Sequence, residues 1–269
     1  MKNRILMLVA LTWQLTGIMT TGNAQSPYEF NWNKDGYIFG VGIAAGIAGL
    51  VLIENVEPLT EAEIMALDRN DVNSFDRGAT YNFSETADAI SDVTGVVCSV
   101  LGATLLTSAK VRSDFRTFAA MYAQMLIFAG ALPTVVKGIT VRTRPFAYNE
   151  NAPLEKKLKK STRLAFFSGH TTNAFAGSVF FATTFSDYFP DSKMKPYVWG
   201  GSLFLASVVA YARVEAGRHY RTDVIVGALV GSAIGHFIPK LHRKPMGGLS
   251  VYPQFHEQQM QLGVSYSFK

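Results

Sequence analysis

The sequence predicts an all-α protein: a six-helix bundle integrated into a membrane, followed by a short C-terminal β-hairpin. Six apolar segments of near-spanning length recur along the chain. They are rich in Gly, Ala, Ser and Thr, which let helices approach closely in a bilayer. From Gly248 onward the apolar pattern changes to a period of two. The 269 residues suffice for one domain with a substantial core and would be cramped as two. With 48% hydrophobic and 17% charged residues and a mean hydropathy of +0.15, composition lies between a soluble globule and a polytopic membrane protein.

At the N-terminus Lys2 and Arg4 precede an apolar run, residues 5–11, and Gly22, Asn23 and Ala24 supply small residues before Gln25. Basic, apolar, then small is the layout of a cleaved secretory signal, so residues 1–24 are expected to be a leader. The six helices are expected at residues 37–53, 89–106, 115–136, 172–185, 197–211 and 224–238. Several are shorter than the roughly 20 apolar residues of a clean span, which also suits a tilted or buried helix. Leu249, Val251 and Phe255, then Met260, Leu262, Val264, Tyr266 and Phe268, alternate with mostly polar neighbours around a turn near residues 256–258. That is a hairpin pattern, in a tail assigned to residues 242–269. It would suit a cover over helix ends or an aromatic-ended strand of the outer-membrane kind.

The formal charge of +5 and the pI near 9.2 fit an anionic partner: nucleic acid, acidic lipid or phosphoester. Lys110, Arg112, Arg116 and the stretch 240–244 suit the cytoplasmic side, and the acidic segment 54–85 suits the outer side. The basic loops 137–167 and 213–222 then fall outside, so their charge calls for a functional reason. A cleaved leader, however, leaves Gln25 outside, and a spanning 37–53 helix would carry the acidic segment inside. The reading adopted is that the Gly-rich stretch 40–49 packs on the outer side without crossing; a retained leader is the alternative. Cys98, the single cysteine, excludes an intrachain disulfide and a cysteine metal site, and suits a small core residue.

Three clusters carry chemistry. Lys137, Arg144 and Pro145 follow the third apolar helix, where guanidinium forks and an ammonium can grip phosphate oxygens. Interfacial charges anchoring a helix end would look the same. Arg142 is assigned to that anchoring role, and the run Lys156, Lys157, Lys159, Lys160 and Arg163 to lipid headgroups or water. Ser168-Gly169-His170 opens the fourth helix. A capping Ser with Gly exposes unpaired N–H groups to an anion, with His in the first turn to protonate a leaving oxygen. A capping serine beside a surface histidine fits equally. Arg213, His219 and Asp223 lie between the last two helices. His219 and Asp223, four apart, share a face if a helix begins there, so the carboxylate can hold one ring nitrogen and free the other as a nucleophile. Asp223 with Thr222 would also serve as a helix cap.

Together these clusters resemble the phosphatidic acid phosphatase type 2 (PAP2) superfamily, whose motifs are Lys-x6-Arg-Pro, Pro-Ser-Gly-His and Ser-Arg-x5-His-x3-Asp. Here they are Lys137-x6-Arg144-Pro145, Phe167-Ser168-Gly169-His170 and Ala212-Arg213-x5-His219-x3-Asp223. Phe167 replaces a proline and Ala212 a serine, while every side chain with a chemical role is kept. The resemblance implies a PAP2-type bundle across residues 25–241 and a metal-independent phosphatase without cofactor. It implies that Lys137, Arg144 and Arg213, with Ser168 and Gly169, hold phosphate. His219 attacks phosphorus, Asp223 orients it and His170 protonates the leaving group, without a metal. It implies a membrane and a lipid phosphate as partners, not nucleic acid. Lipid A is the leading substrate, beside undecaprenyl diphosphate, phosphatidylglycerophosphate and phosphatidate, at a site facing the periplasm of a bacterial envelope.

The same residues occur in soluble secreted acid phosphatases and vanadium haloperoxidases of the superfamily. Helices 115–136 and 224–238, apolar around most of their circumference, argue against the soluble form. A non-enzymatic phospholipid binder would not need His219, Asp223 and His170. Asp88 and Asp92, four apart at the second helix start, suit a buried polar network, but the reading adopted is a hydrated helix entrance. His236 is given a structural role, and His242 and His256 no catalytic one.

Overall fold

The computed structural model describes residues 26–244, 249–256 and 259–266; the leader expected at 1–24 lies outside them. Six long helices carry the architecture: α1 (Trp32–Glu54), α2 (Glu85–Val100), α3 (Phe115–Thr140), α4 (Gly169–Tyr188), α5 (Lys195–Glu215) and α6 (Arg221–His242). Each contains or overlaps one predicted segment and runs past it into polar residues. The extensions follow from capping: Asn31, Ser84 and Ser168 each accept from backbone N–H groups of the first turn, satisfying donors that have no partner within the helix. α2 tightens after Val100 into a 3-10 stretch, Leu101–Thr107. α3 ends where Val141 turns left-handed at φ 44°.

α1, α2 with its 3-10 extension, α3, α5 and α6 are long and apolar enough to cross a membrane. Their outward side chains include Ile43, Leu50, Val93, Val96, Phe204 and Leu229, where a water-soluble bundle would place polar groups. The chain is thus built as an integral membrane protein. α4 is the enclosed helix, burying residues on all sides, among them Thr172, Ala176, Val179 and Phe180.

Glycines set the spacing of the bundle. On α6, Gly227, Gly231 and Gly235 lie along the backbone of α4; a Cβ at Gly231 would fall 2.3 Å from the carbonyl oxygen of Thr172. On α1, Gly42 meets Ile127 and Phe128, and a Cβ at Gly49 would come within 2.8 Å of the Val135 amide nitrogen of α3. Contacts that advance together along both helices make α1 parallel to α3, and α6 parallel to α4. This corrects the expectation for α1: residues 37–53 pack lengthwise along α3 as a bundle member and do not lie across the outer side. The physical reason is the glycine face, which fits helix against helix at close range.

One pole of the bundle gathers the C-terminal ends of α1, α3 and α5 and the N-terminal ends of α2, α4 and α6. The loops 55–84 and 141–168 cover it, joined by Arg69 Nη2 to the Tyr148 carbonyl (2.7 Å) and Asn149 Nδ2 to the Tyr81 carbonyl (2.8 Å). Four residues of the basic run are part of this cover, which corrects their assignment to headgroups and water, while Lys159 is exposed as expected. Lys160 and Arg163 donate to the carbonyls of Glu54 and Glu57, Lys156 pairs with Glu85 at 2.5 Å, and Lys157 is buried. Helix-end carbonyls attract such cations.

At the opposite pole, buried Asp35 accepts from Gln124 (2.8 Å) and pairs with His242 (2.5 Å), while Tyr28 donates to Asp187 (2.6 Å). His242 is thus a structural tie between α1 and α6. Strands β1 (Leu249–His256) and β2 (Gln259–Tyr266) form the expected antiparallel hairpin, with Leu249 opposite Tyr266 and His256 opposite Gln259.

Candidate active site

All the predicted site residues converge on the covered pole. Lys137 is in the last turn of α3 and leans over the start of α4: a Cβ on Gly169 would lie 3.5 Å from its Nζ. Glycine keeps that approach open to an anion. Ser168 caps α4, its Oγ accepting from the Thr171 amide (3.3 Å) and hydroxyl (2.9 Å). Its own amide donates to the Asp223 carbonyl oxygen (3.1 Å), which fastens α4 to α6 at the site. Capping and anion binding here use different atoms of one helix terminus, and they are compatible.

Arg144 sits in the irregular segment after α3, its amide bonded to the Thr162 carbonyl oxygen at 2.7 Å. Burial, and then the neighbouring Arg213 and Arg218 charges, push its guanidinium down to about 9. A cation disfavoured in this way favours an arriving anion. Arg213, near the end of α5, is almost fully buried and donates to Asp88 (2.7 Å), Ser91 (3.2 Å) and Asp92 (3.4 Å) of α2. Arg218 adds two bonds to Asp88. Among the described residues, the Nε atoms of Arg144 and Arg213 are buried without a partner, as are both ring nitrogens of His219. Buried donors without partners are costly, and they mark where a ligand's oxygens belong.

His219 is brought in by Gly217, which adopts φ 67° after α5; a Cβ there would lie 2.2 Å from the Asn82 carbonyl oxygen, so only glycine makes this turn. The imidazole is fully buried. Burial, followed by the charges of Arg144, Arg213 and Lys137, holds its pKa well below 6.5, so it is a neutral base. Its Nδ1 stands 3.5 Å from Asp223 Oδ2, leaving Nε2 as the nitrogen available for attack. His170, in the first turn of α4, is half-exposed and pairs through Nε2 with Asp92 Oδ1 at 3.0 Å.

Sequence reasoning placed the buried polar network of the two α2 carboxylates second. Asp88 and Asp92 anchor Arg213, Arg218 and His170 and are more than a hydrated helix entrance. Buried Arg partners cannot be read from helical periodicity, but two acids on one face of an apolar helix were a usable signal. Arg142, assigned to a helix-end anchor, instead bridges two buried carboxylates, Asp223 (2.6 Å) and Asp76 (2.8 Å).

A groove leads away from the phosphate-binding groups. It encloses about 480 Å³ between α2 and α3, from Lys137, His170 and Asp92 to Ala129 and Ser99. Eight residues of α3 make it roughly 12 Å deep along the helix axis. Gly95 and Gly130 line it, and a Cβ at either would meet nothing within 4 Å. Pro133 lacks the N–H that would bond the Ala129 carbonyl in a regular helix; Asn173 of α4 donates to that oxygen instead, at 3.4 Å.

Residues 118–246 match the family described as the PAP2 superfamily, a span that holds every predicted catalytic and phosphate-binding residue. Over this span the chain is similar to that superfamily. The chain is 35% identical over 80 residues to a lipid A 4'-phosphatase of Porphyromonas gingivalis, a match spanning 30% of each protein. Among solved structures it is similar to a transmembrane PAP2 type phosphatidylglycerolphosphate phosphatase from Bacillus subtilis. That likeness has a TM-score of 0.45 and 24% identity, and it covers 74% of this chain and 94% of the other.

Proposed function

We propose that this chain is a membrane-integrated phosphatase that removes phosphate from an envelope lipid through a phosphohistidine, and that lipid A phosphate is its substrate. The observation that carries the chemistry is the neutral, buried His219, backed by Asp223 and facing a set of cations whose buried Nε atoms lack partners. In the first step Nε2 of His219 forms a bond to phosphorus as the ester P–O bond breaks, and His170 gives its proton to the departing oxygen. Lys137, Arg144, Arg213 and the N–H groups at the start of α4 neutralise the equatorial oxygens. In the second step a water gives a proton to His170 and its oxygen to phosphorus, the P–N bond breaks, and inorganic phosphate leaves. The groove between α2 and α3 gives the lipid a place beside the phosphate.

The choice of lipid A is supported by the 80-residue similarity to a protein of that named activity. The catalytic pole is proposed to face the periplasm. Lys110, Arg112, Arg116 and Lys240 cluster at the other pole, as cytoplasmic loops do. With α1 in the bundle, a cleaved leader would predict the reverse, so the two expectations separate cleanly. A cysteine introduced in segment 55–84 of a Cys98→Ser background should label from outside intact cells. Labelling only after lysis would reverse the orientation.

The activity is tested with purified protein and lipid A, undecaprenyl diphosphate and phosphatidylglycerophosphate in separate phosphate-release assays. Lipid A should turn over fastest, and His219→Ala should release none. Equal release by His219→Ala would end the histidine mechanism. Rapid hydrolysis of small soluble esters with none of the lipids would favour an acid phosphatase.

A further inference from the structure

Asp223 is fully buried, and its carboxylate is held on both oxygens. Oδ2 accepts from the Tyr220 amide at 2.9 Å and faces Nδ1 of His219, and Oδ1 takes the 2.6 Å ion pair from Arg142 Nη1. Arg142 is itself held from several directions. Its Nη2 donates to Asp76 (2.8 Å), Nη1 also reaches the Thr222 hydroxyl (2.9 Å), and the guanidinium lies 4.0 Å over the Tyr220 ring. Asp76 is fixed in turn by the Thr222 amide (3.0 Å), the Thr222 hydroxyl (2.6 Å) and Asn73 Nδ2 (3.1 Å). Burial alone would raise the Asp76 carboxyl, but bonds from Thr222 and Arg142 hold it below the usual range, so it is an anion facing a cation. Asp76 lies outside the span that matches the superfamily.

Building on the phosphatase reading, we propose that Asp76 and Arg142 are a positioning pair for the nucleophile: Asp76 sets Arg142, and Arg142 fixes the Asp223 carboxylate that aims His219. A buried carboxylate beside a neutral imidazole needs a cation to remain ionised and in place. A planar fork serves two carboxylates at once in a fixed geometry that a single ammonium does not impose. Arg142 is among the described contacts of Asp223 and Asp76, not of the phosphate-binding groups, so it acts on the ring and not on the substrate. It also lines a cavity of about 200 Å³ with Asn73, Thr143, Tyr148 and Tyr220, and is partly exposed, so a small cation can reach its place.

The experiment compares wild type, R142A, R142K, D76N and H219A, all solubilised intact, on a lipid phosphate. Measured are kcat, KM, inhibition by orthovanadate, and the effect of added guanidinium chloride. Arg142 variants should lose about 100-fold in kcat, with KM close to wild type and inhibition by orthovanadate, which takes the same bond from Nε2 as a transition-state analogue, weakened. Guanidinium should restore part of the rate to R142A alone. D76N should show a smaller fall in kcat with the same constant KM. A raised KM with kcat intact would make Arg142 a substrate contact and overturn the proposal. So would loss of thermal stability in R142A and R142K with no rescue, which describes a brace of the fold. Equal rates for wild type and H219A would instead remove the phosphatase reading. The pair is then judged on the ring: the 15N shifts of His219 should report a changed tautomer in R142A, and unchanged shifts would overturn it.

Discussion

Nδ1 of His219 stands 3.5 Å from Oδ2 of Asp223, with both side chains sealed from solvent. That distance is slightly long for a hydrogen bond, and both ring nitrogens lack partners among the described residues. The dyad is therefore aligned but open, in a form that tightens when charge develops on the ring. Asp223→Asn keeps the shape and removes the charge, and its amide can offer an N–H to Nδ1 and favour the wrong tautomer. A fall in kcat of about 10²- to 10⁴-fold with little change in KM is expected. Steady-state kinetics checks it; a variant within a few-fold of wild type would leave Asp223 as a helix cap only.

The depressed pKa of His219 has two consequences with opposite signs. The nucleophilic, neutral form persists below pH 6.5, because burial and the surrounding cations resist protonation. Stability runs the other way. The unfolded chain binds a proton near pH 6.5 that the folded chain refuses, so this group weakens the fold as pH falls below that value. Histidine NMR signals, assigned by comparison with His219→Ala, should show His219 titrating well below pH 6.5. A midpoint near 6.5 would contradict the burial and charge argument.

The six helices and the three motifs were legible because both are local: apolar runs and fixed short spacings survive in one dimension. Arg142 was not. Its partners Asp76 and Asp223 are remote in the chain, and nothing in helical or strand periodicity links them. A physical signal did exist, since Asp223 was assigned to hold a ring nitrogen of His219, and a carboxylate kept in such a place calls for a cation. Likewise, the leader argument displaced α1 from the bundle, although its glycines already offered a packing face. Asp88 and Asp92 looked like a wet helix end because the cations that they hold arrive from α5 and the loop after it.

Gly231 tests the packing of α6 on α4. The carbonyl oxygen of Thr172 lies 2.3 Å from where a Cβ would be, and that oxygen is backbone, which cannot rotate aside. Gly231→Ala must push the helices apart, and overpacking of this kind costs about 1–3 kcal/mol. Displacing the two helices that carry His170 and Asp223 should also lower activity. A reduced melting temperature in detergent, together with a fall in kcat, is expected. Wild-type stability would mean that the helices are free to separate.

Gly130 tests whether the groove holds lipid. It faces open space on α3, beside the Asn173 contact that covers the Ala129 carbonyl, and it carries no phosphate contact. Gly130→Leu therefore adds volume to the groove without touching the catalytic groups, and in a helix it replaces a poor former with a good one. If the hydrophobic part of the substrate lies there, kcat/KM for a lipid phosphate should fall about 10- to 100-fold, a range typical of steric changes in an apolar pocket. Hydrolysis of p-nitrophenyl phosphate, which needs only the phosphate site, should be nearly unchanged. Gly95→Leu, on the facing helix α2, should behave alike. Equal losses on both substrates would place the damage in the catalytic groups. No loss on either would move the lipid out of the groove, and the comparison of the two substrates in one preparation separates these outcomes.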